Sequence, residues 1–226
     1  LTWKVVPLVS VNVIIGGTAS VAERNVIAGN NNNGISTNAG LFDPDGNTNP
    51  LPPIVYSLPN LLEVRGNYIG LKADGSGALP NLTGGGTING ANSVVANNVI
   101  SGNNNLGIHV SAHIDGSTTS TTLGSVWSAG HHTIATGNTI GLDPTGTTAI
   151  PNGSGAGLVV SAPDVTVGGS TTAERNIIAG NNNAGISLQN LTVTPTGGNP
   201  ILVSSGNGAI VVGNYIGLGP TGNVRI

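Results

Sequence analysis

The feature that most restricts what this chain can fold into is a pair of alternating motifs. Asn25-Val26-Ile27-Ala28-Gly29-Asn30 returns as Asn98-Val99-Ile100-Ser101-Gly102-Asn103 and again as Asn176-Ile177-Ile178-Ala179-Gly180-Asn181. Interleaved with it, Gly66-Asn67-Tyr68-Ile69-Gly70-Leu71 recurs as Gly137-Asn138-Thr139-Ile140-Gly141-Leu142 and Gly213-Asn214-Tyr215-Ile216-Gly217-Leu218. The Asn-x-Ile units therefore follow one another every 31 to 42 residues. A period of this size marks a stacked architecture in which no single unit buries its apolar face alone.

One unit holds three short β-type runs: Gly157-Leu158-Val159-Val160, then Val165-Thr166-Val167-Gly168-Gly169, then Asn176-Ile177-Ile178-Ala179. Each is bounded by Gly, Pro, Asn or Asp, which are strand and turn signals. Helix is disfavoured throughout, because 37 Gly and 30 Asn supply about 30% of the 226 residues and both are poor helix formers. These runs predict an all-β, three-sided solenoid of about six parallel coils, rising about 4.8 Å per coil to about 30 Å. Stacking superimposes Asn25, Asn67, Asn98, Asn138, Asn176 and Asn214, whose amides are expected to form a ladder as identical side chains do in cross-β assemblies. Ile27, Ile69, Ile100, Ile140, Ile178 and Ile216 should form an inward aliphatic column.

Runs such as Gly137 to Gly153 and Thr166 to Asn181, within a likeness that extends from about residue 14 to residue 222, resemble right-handed parallel β-helix repeat proteins of the secreted or surface type. The resemblance implies that fold and an extracellular setting. It says less about activity, since such repeats occur in adhesins, sheath components, tailspikes and polysaccharide enzymes.

Composition removes other classes. With 6 Lys+Arg against 9 Asp+Glu and a net charge of −3, no basic stripe is available for nucleic acid. The longest apolar runs, such as that near Val159, fall far short of the roughly 20 residues of a membrane span. Without cysteine there is no disulfide framework, thiolate site or Cys nucleophile. The first residues, Leu1-Thr2-Trp3, read either as the product of a removed leader, which favours export, or as the start of a fragment.

The chain is read as one β-helix domain over residues 1–226, with residues 1–10 serving as an N-terminal strand, a cap or a strand offered to a neighbour. Three stretches depart from the coil consensus, at about 37–60, 111–132 and 189–200, each after a Gly-Ile strand. They are expected to project as a row of loops from one side, the usual place for a binding face.

No catalytic residue is assigned. Pectin-degrading enzymes of this fold cluster acids with a base, and this chain has neither an Asp-Asp pair nor a Gly-His-Gly run. Glu23-Arg24 and Glu174-Arg175 precede equivalent strands and read as turn ion pairs. Asp43, Asp45, Asn47 and Asn49 place oxygens at every second residue, a pattern that suits calcium and equally suits a Pro/Gly surface turn; no other cofactor is expected. His109, His113, Asp115, His131 and His132 invite zinc, but an extended strand sets His109 and His113 about 13 Å apart, so they read as solvated surface histidines. Phe42, Tyr56 and Trp127 fall in the loops and are the meagre aromatic material for a glycan site. Asn81, Asn152 and Asn190 begin N-x-S/T sequons, the acceptors of N-glycosylation. Asn-Gly pairs at Asn33, Asn89, Asn152 and Asn207 are prone to deamidation in flexible chain.

Val224-Arg225-Ile226 reads as the opening strand of a new unit, and Val11 to Gly17 as the strand equivalent to Val165–Gly169. The two ends are then pieces of one coil, and identical subunits are expected to add head to tail into a filament or surface layer. The functional expectation is an extracellular structural protein without catalysis; the alternative is a carbohydrate-active β-helix enzyme, or a glycan-binding tailspike or adhesin module.

Overall fold

The computed structural model describes residues 12–37, 40–42, 55–57, 61–111, 132–193 and 201–226. Three all-parallel sheets of six, six and five strands wind into a three-sided β-helix. The first sheet stacks Val13–Gly16, Leu62–Arg65, Val94–Ala96, Ile134–Thr136, Thr166–Gly168 and Ile210–Val212. The second stacks Val26–Ile27, Tyr68–Ile69, Val99–Ile100, Thr139–Ile140, Ile177–Ile178 and Tyr215–Ile216. The third stacks Asn33–Ser36, Gly84–Ile88, Leu106–Val110, Leu158–Val160 and Ile186–Leu188.

Each coil pairs with the next in register, so like positions superimpose. In the first sheet Ile15, Val64 and Val95 align, as do Val95, Ala135, Val167 and Val211. In the second, Ile27, Ile69, Ile100, Ile140, Ile178 and Ile216 form the expected column, with the four middle members buried. Ile108, Leu158, Val110 and Val160 close the core from the third sheet. Burying an aliphatic side chain of this kind stabilises by about 1.5–3 kcal/mol, and the gain accrues only when the neighbouring coil is present.

The second-sheet strands are two residues long because the backbone turns immediately after them. At Gly70 φ is +90°, and a Cβ there would lie 2.3 Å from Ser101 O in the coil above, so only glycine both takes the left-handed turn and admits the approach.

The long insertions leave after third-sheet strands of the first, third and fifth coils. Two of them contain antiparallel hairpins, Gly40–Phe42 with Val55–Ser57 and Asn190–Val193 with Ile201–Ser205. The last insertion thus runs to Ser205, past the expected limit at 200. A second row of shorter loops stands where the second sheet passes to the third in even-numbered coils, each closed by an antiparallel bridge: Leu71 with Ala78, Leu142 with Ala149, Leu218 with Arg225. The last bridge corrects the reading of Val224-Arg225-Ile226. That segment closes a corner loop about a turn at Gly222, as its counterparts do at Gly75 and Gly146, and is not the first strand of a new unit. Val13–Gly16 does take the position equivalent to Thr166–Gly168.

Candidate functional site

Two columns of asparagine organise the corners. Between the first and second sheets, Nδ2 of Asn25, Asn67, Asn98, Asn138 and Asn176 donates to Oδ1 of the next Asn above at 2.8–3.1 Å, ending at Asn214. The same oxygens accept the backbone N–H of the Asn below. The second amide hydrogen goes down to a first-sheet carbonyl, from Asn67 to Ile15, Asn98 to Val64, Asn138 to Val95, Asn176 to Ala135 and Asn214 to Val167. Every polar atom of a middle rung is therefore paired, as burial demands, and all the dipoles point the same way.

A second column, not anticipated from the sequence, runs between the second and third sheets through Asn30, Asn81, Asn103, Asn152 and Asn181, with Nδ2-to-Oδ1 distances of 2.8–2.9 Å. Its signal was present: Asn30, Asn103 and Asn181 end the repeated hexapeptide, and Asn81 and Asn152 each follow a proline. This column gives two of the sequon asparagines a different part. Asn81 and Asn152 are fully buried, and both amide hydrogens are engaged, to Ile27 O and Asn103 for Asn81 and to Ile100 O and Asn181 for Asn152. A glycan would replace one of those donated hydrogens at a nitrogen with no exposed surface, so the acceptor reading does not fit the folded chain there. Asn190 is exposed at the start of a hairpin strand.

The Glu-Arg pairs also separate. Glu23 Oε2 accepts from Ala19 N at 2.9 Å, and Glu174 Oε2 from Thr171 N and Oγ1 at 2.9 Å each; these Thr171 bonds hold the Glu174 carboxyl below its usual range. Arg24 lies over the Tyr68 ring at 3.9 Å and Arg175 over Tyr215 at 4.1 Å. The arginines clasp the coil above by cation–π contact instead of pairing with the adjacent glutamates. Other acids serve turns: Asp74 accepts from Ser76 N, and Asp143 from Thr145, Thr147 and Thr148. Burial alone would raise the Asp143 pKa, but those hydrogen bonds hold it below its ordinary value. Glu63 pairs with Arg65 at 2.6 Å.

His109 corrects the reading of solvated histidines. It is half-buried, with Nε2 2.8 Å from Ser161 Oγ, and burial lowers its pKa. His113, Asp115 and His131 lie outside the described residues, as do Asp43, Asp45, Asn47, Asn49 and Trp127; Phe42 and Tyr56 stand on the strands of the first hairpin. Among the described residues no three His, Asp or Glu gather closely enough to hold a metal ion, and no helix is long and apolar enough to cross a membrane.

One open groove of about 460 Å³ crosses the first four coils at the first corner, lined in part by Thr18, Ser20, Arg24, Tyr68, Asn97 and Pro144. Arg24 Nε is buried there without a hydrogen-bond partner, whereas Arg175 Nε donates to Gly213 O at 3.0 Å. The groove offers one cation, two hydroxyls and an aromatic–proline wall. It holds no nucleophile with an adjacent base. Comparison with known protein families, with curated proteins and with solved structures finds no match to this chain.

Proposed function

We propose that this protein is an extracellular structural protein whose copies pile head to tail into a filament or surface layer, without catalysis. The observation that carries the reading is the complementarity of the outermost described coils. In the top coil the inward positions Val211 and Ile216 are 41% and 50% exposed, while their counterparts one coil below, Val167 and Ile178, are fully buried. At the base Val13 is 36% exposed against 1% for Leu62 above it. The asparagine column is polar. At the top the Asn214 backbone N–H makes no hydrogen bond to the described residues, and Asn214 Nδ2 turns back to Val212 O at 3.0 Å. An asparagine oxygen above would take the N–H and draw Nδ2 away from Val212, while Asn25 Oδ1 offers the acceptor at the base. Top against base continues the register and the column; like ends together set donor against donor or acceptor against acceptor. Such a heterologous contact does not close and extends into a fibre.

The extracellular setting rests on the resemblance of the repeats to secreted β-helix proteins. The test is negative-stain microscopy with sedimentation over a range of concentrations. Long fibres one rod wide are the expected result. Single short rods at every concentration would overturn the reading. Single rods that also bind an acidic sugar, with loss of binding in Arg24→Ala, would favour the glycan-binding alternative, whose supporting observation is the groove at Arg24 and Tyr68.

A further inference from the structure

We propose that the turn at Asn207-Gly208 is a site of spontaneous deamidation in the folded protein, and that the fold protects the other three Asn-Gly pairs. In this reaction the Gly backbone nitrogen attacks Cγ of the preceding Asn. The amide nitrogen leaves as ammonia with the proton given up by the Gly nitrogen, and water opens the resulting succinimide to aspartate or isoaspartate. The step needs a side chain free to rotate and a Gly nitrogen free of other bonds.

Asn207 meets both needs. It is exposed and lies in a turn outside the sheets, just before the strand Ile210–Val212. Its carbonyl is tied to Asp164 N at 2.9 Å, while Gly208 N makes no hydrogen bond to the described residues. Asp164 Oδ1 lies so close to Gly208 that a Cβ there would collide with it. The carboxylate thus lies on the side of Gly208 where a Cβ would stand, and it makes no hydrogen bond to the Gly208 nitrogen, which stays free to attack.

The other pairs are held. Asn152 is fully buried with both amide hydrogens donated, and Gly153 N donates to Asn103 O at 2.8 Å. Asn89 is 8% exposed, and its Nδ2 donates to Thr37 O at 2.7 Å. Asn33 sits in the strand Asn33–Ser36, with Nδ2 bonded to Thr87 Oγ1 at 3.2 Å. Reaction at these three requires a coil to open first, and local opening costs free energy. Conversion at Asn207 also has a structural consequence: it places a second carboxylate beside Asp164 at the base of the last first-sheet strand.

The experiment incubates the full chain in mildly alkaline buffer, folded and in urea, and follows all four sites by proteolytic mapping and mass spectrometry. In urea all four should convert at comparable rates. In the folded protein Asn207 should convert more than about ten-fold faster than Asn33, Asn89 or Asn152, the ratio given by an opening cost of about 1.4 kcal/mol. Asn207→Gln should abolish ammonia release from the folded chain. Folded-state conversion at Asn152 matching that at Asn207, an inert Asn207 in a chain whose unfolded form reacts, or ammonia release that survives Asn207→Gln would overturn the proposal.

Discussion

At the scale of one residue, Asn138 shows what a rung of the ladder does. Its Oδ1 accepts from Asn98 N and Nδ2 at 3.0 Å each, and its Nδ2 donates to Val95 O at 2.8 Å and Asn176 Oδ1 at 2.9 Å. Asn138→Ala leaves buried groups of Asn98, Val95 and Asn176 unpaired, and each such orphan costs about 1–3 kcal/mol. Denaturant unfolding should register a loss of about 3–5 kcal/mol, the scale reached when a buried polar network is broken. A loss below about 0.5 kcal/mol, ordinary for a surface change, would mean the ladder contributes little. His109 gives the pH dependence. Because burial lowers its folded pKa from 6.5, the unfolded chain binds the proton more readily, so stability is greatest above that value and declines as pH falls below it. Unfolding midpoints of the native chain should drop on acidification through this window, and His109→Gln should flatten that part of the profile.

At the scale of the element, the third-sheet strands begin close to the coil above. A Cβ at Gly107 would sit 2.2 Å from Gly157 O and 3.1 Å from Asn152 Nδ2, so a side chain there pushes two coils apart beside the second asparagine column. Gly107→Val should destabilise by at least the 1–3 kcal/mol typical of overpacking, about that range or more, read as a fall in melting temperature. Gly77→Ala is the control, since the nearest atom to its Cβ would be Lys72 Nζ at 3.9 Å; a change within about 0.5 kcal/mol is expected there. Equal effects at the two positions would refute the steric account.

At the scale of the whole molecule, the core is a column whose outermost described coils leave apolar positions partly exposed, so what covers them decides the assembly. Ile216 is half exposed, and Ile216→Lys would set an ammonium where the proposed neighbour brings its first coil. The rod itself should keep its circular dichroism spectrum, because the substituted side chain is already half exposed in the sixth coil, while fibres disappear from the micrographs. Fibres that persist unchanged would show that growth does not pass through this end.

The sequence by itself determined the coil. Repetition of Asn-x-Ile fixes which residues superimpose, and identical side chains superimposed at one coil's rise have one economical arrangement; hence the first asparagine column, the isoleucine column and three short strands per turn were legible without coordinates. Tertiary structure decided whatever depends on a neighbour distant in the chain. Asn81 and Asn152 read as surface sequons until the corner loops returned them beside Asn103, because a sequon is a local pattern and a ladder rung is not. Arg24 and Arg175 sit next to glutamates in sequence, yet their partners are tyrosines one coil up, since an aromatic face across the coil junction was within reach and the glutamates were already bound to their own turns. The same distinction sorts the four Asn-Gly pairs: their chemistry is written in two letters, but their exposure is set by the coils around them.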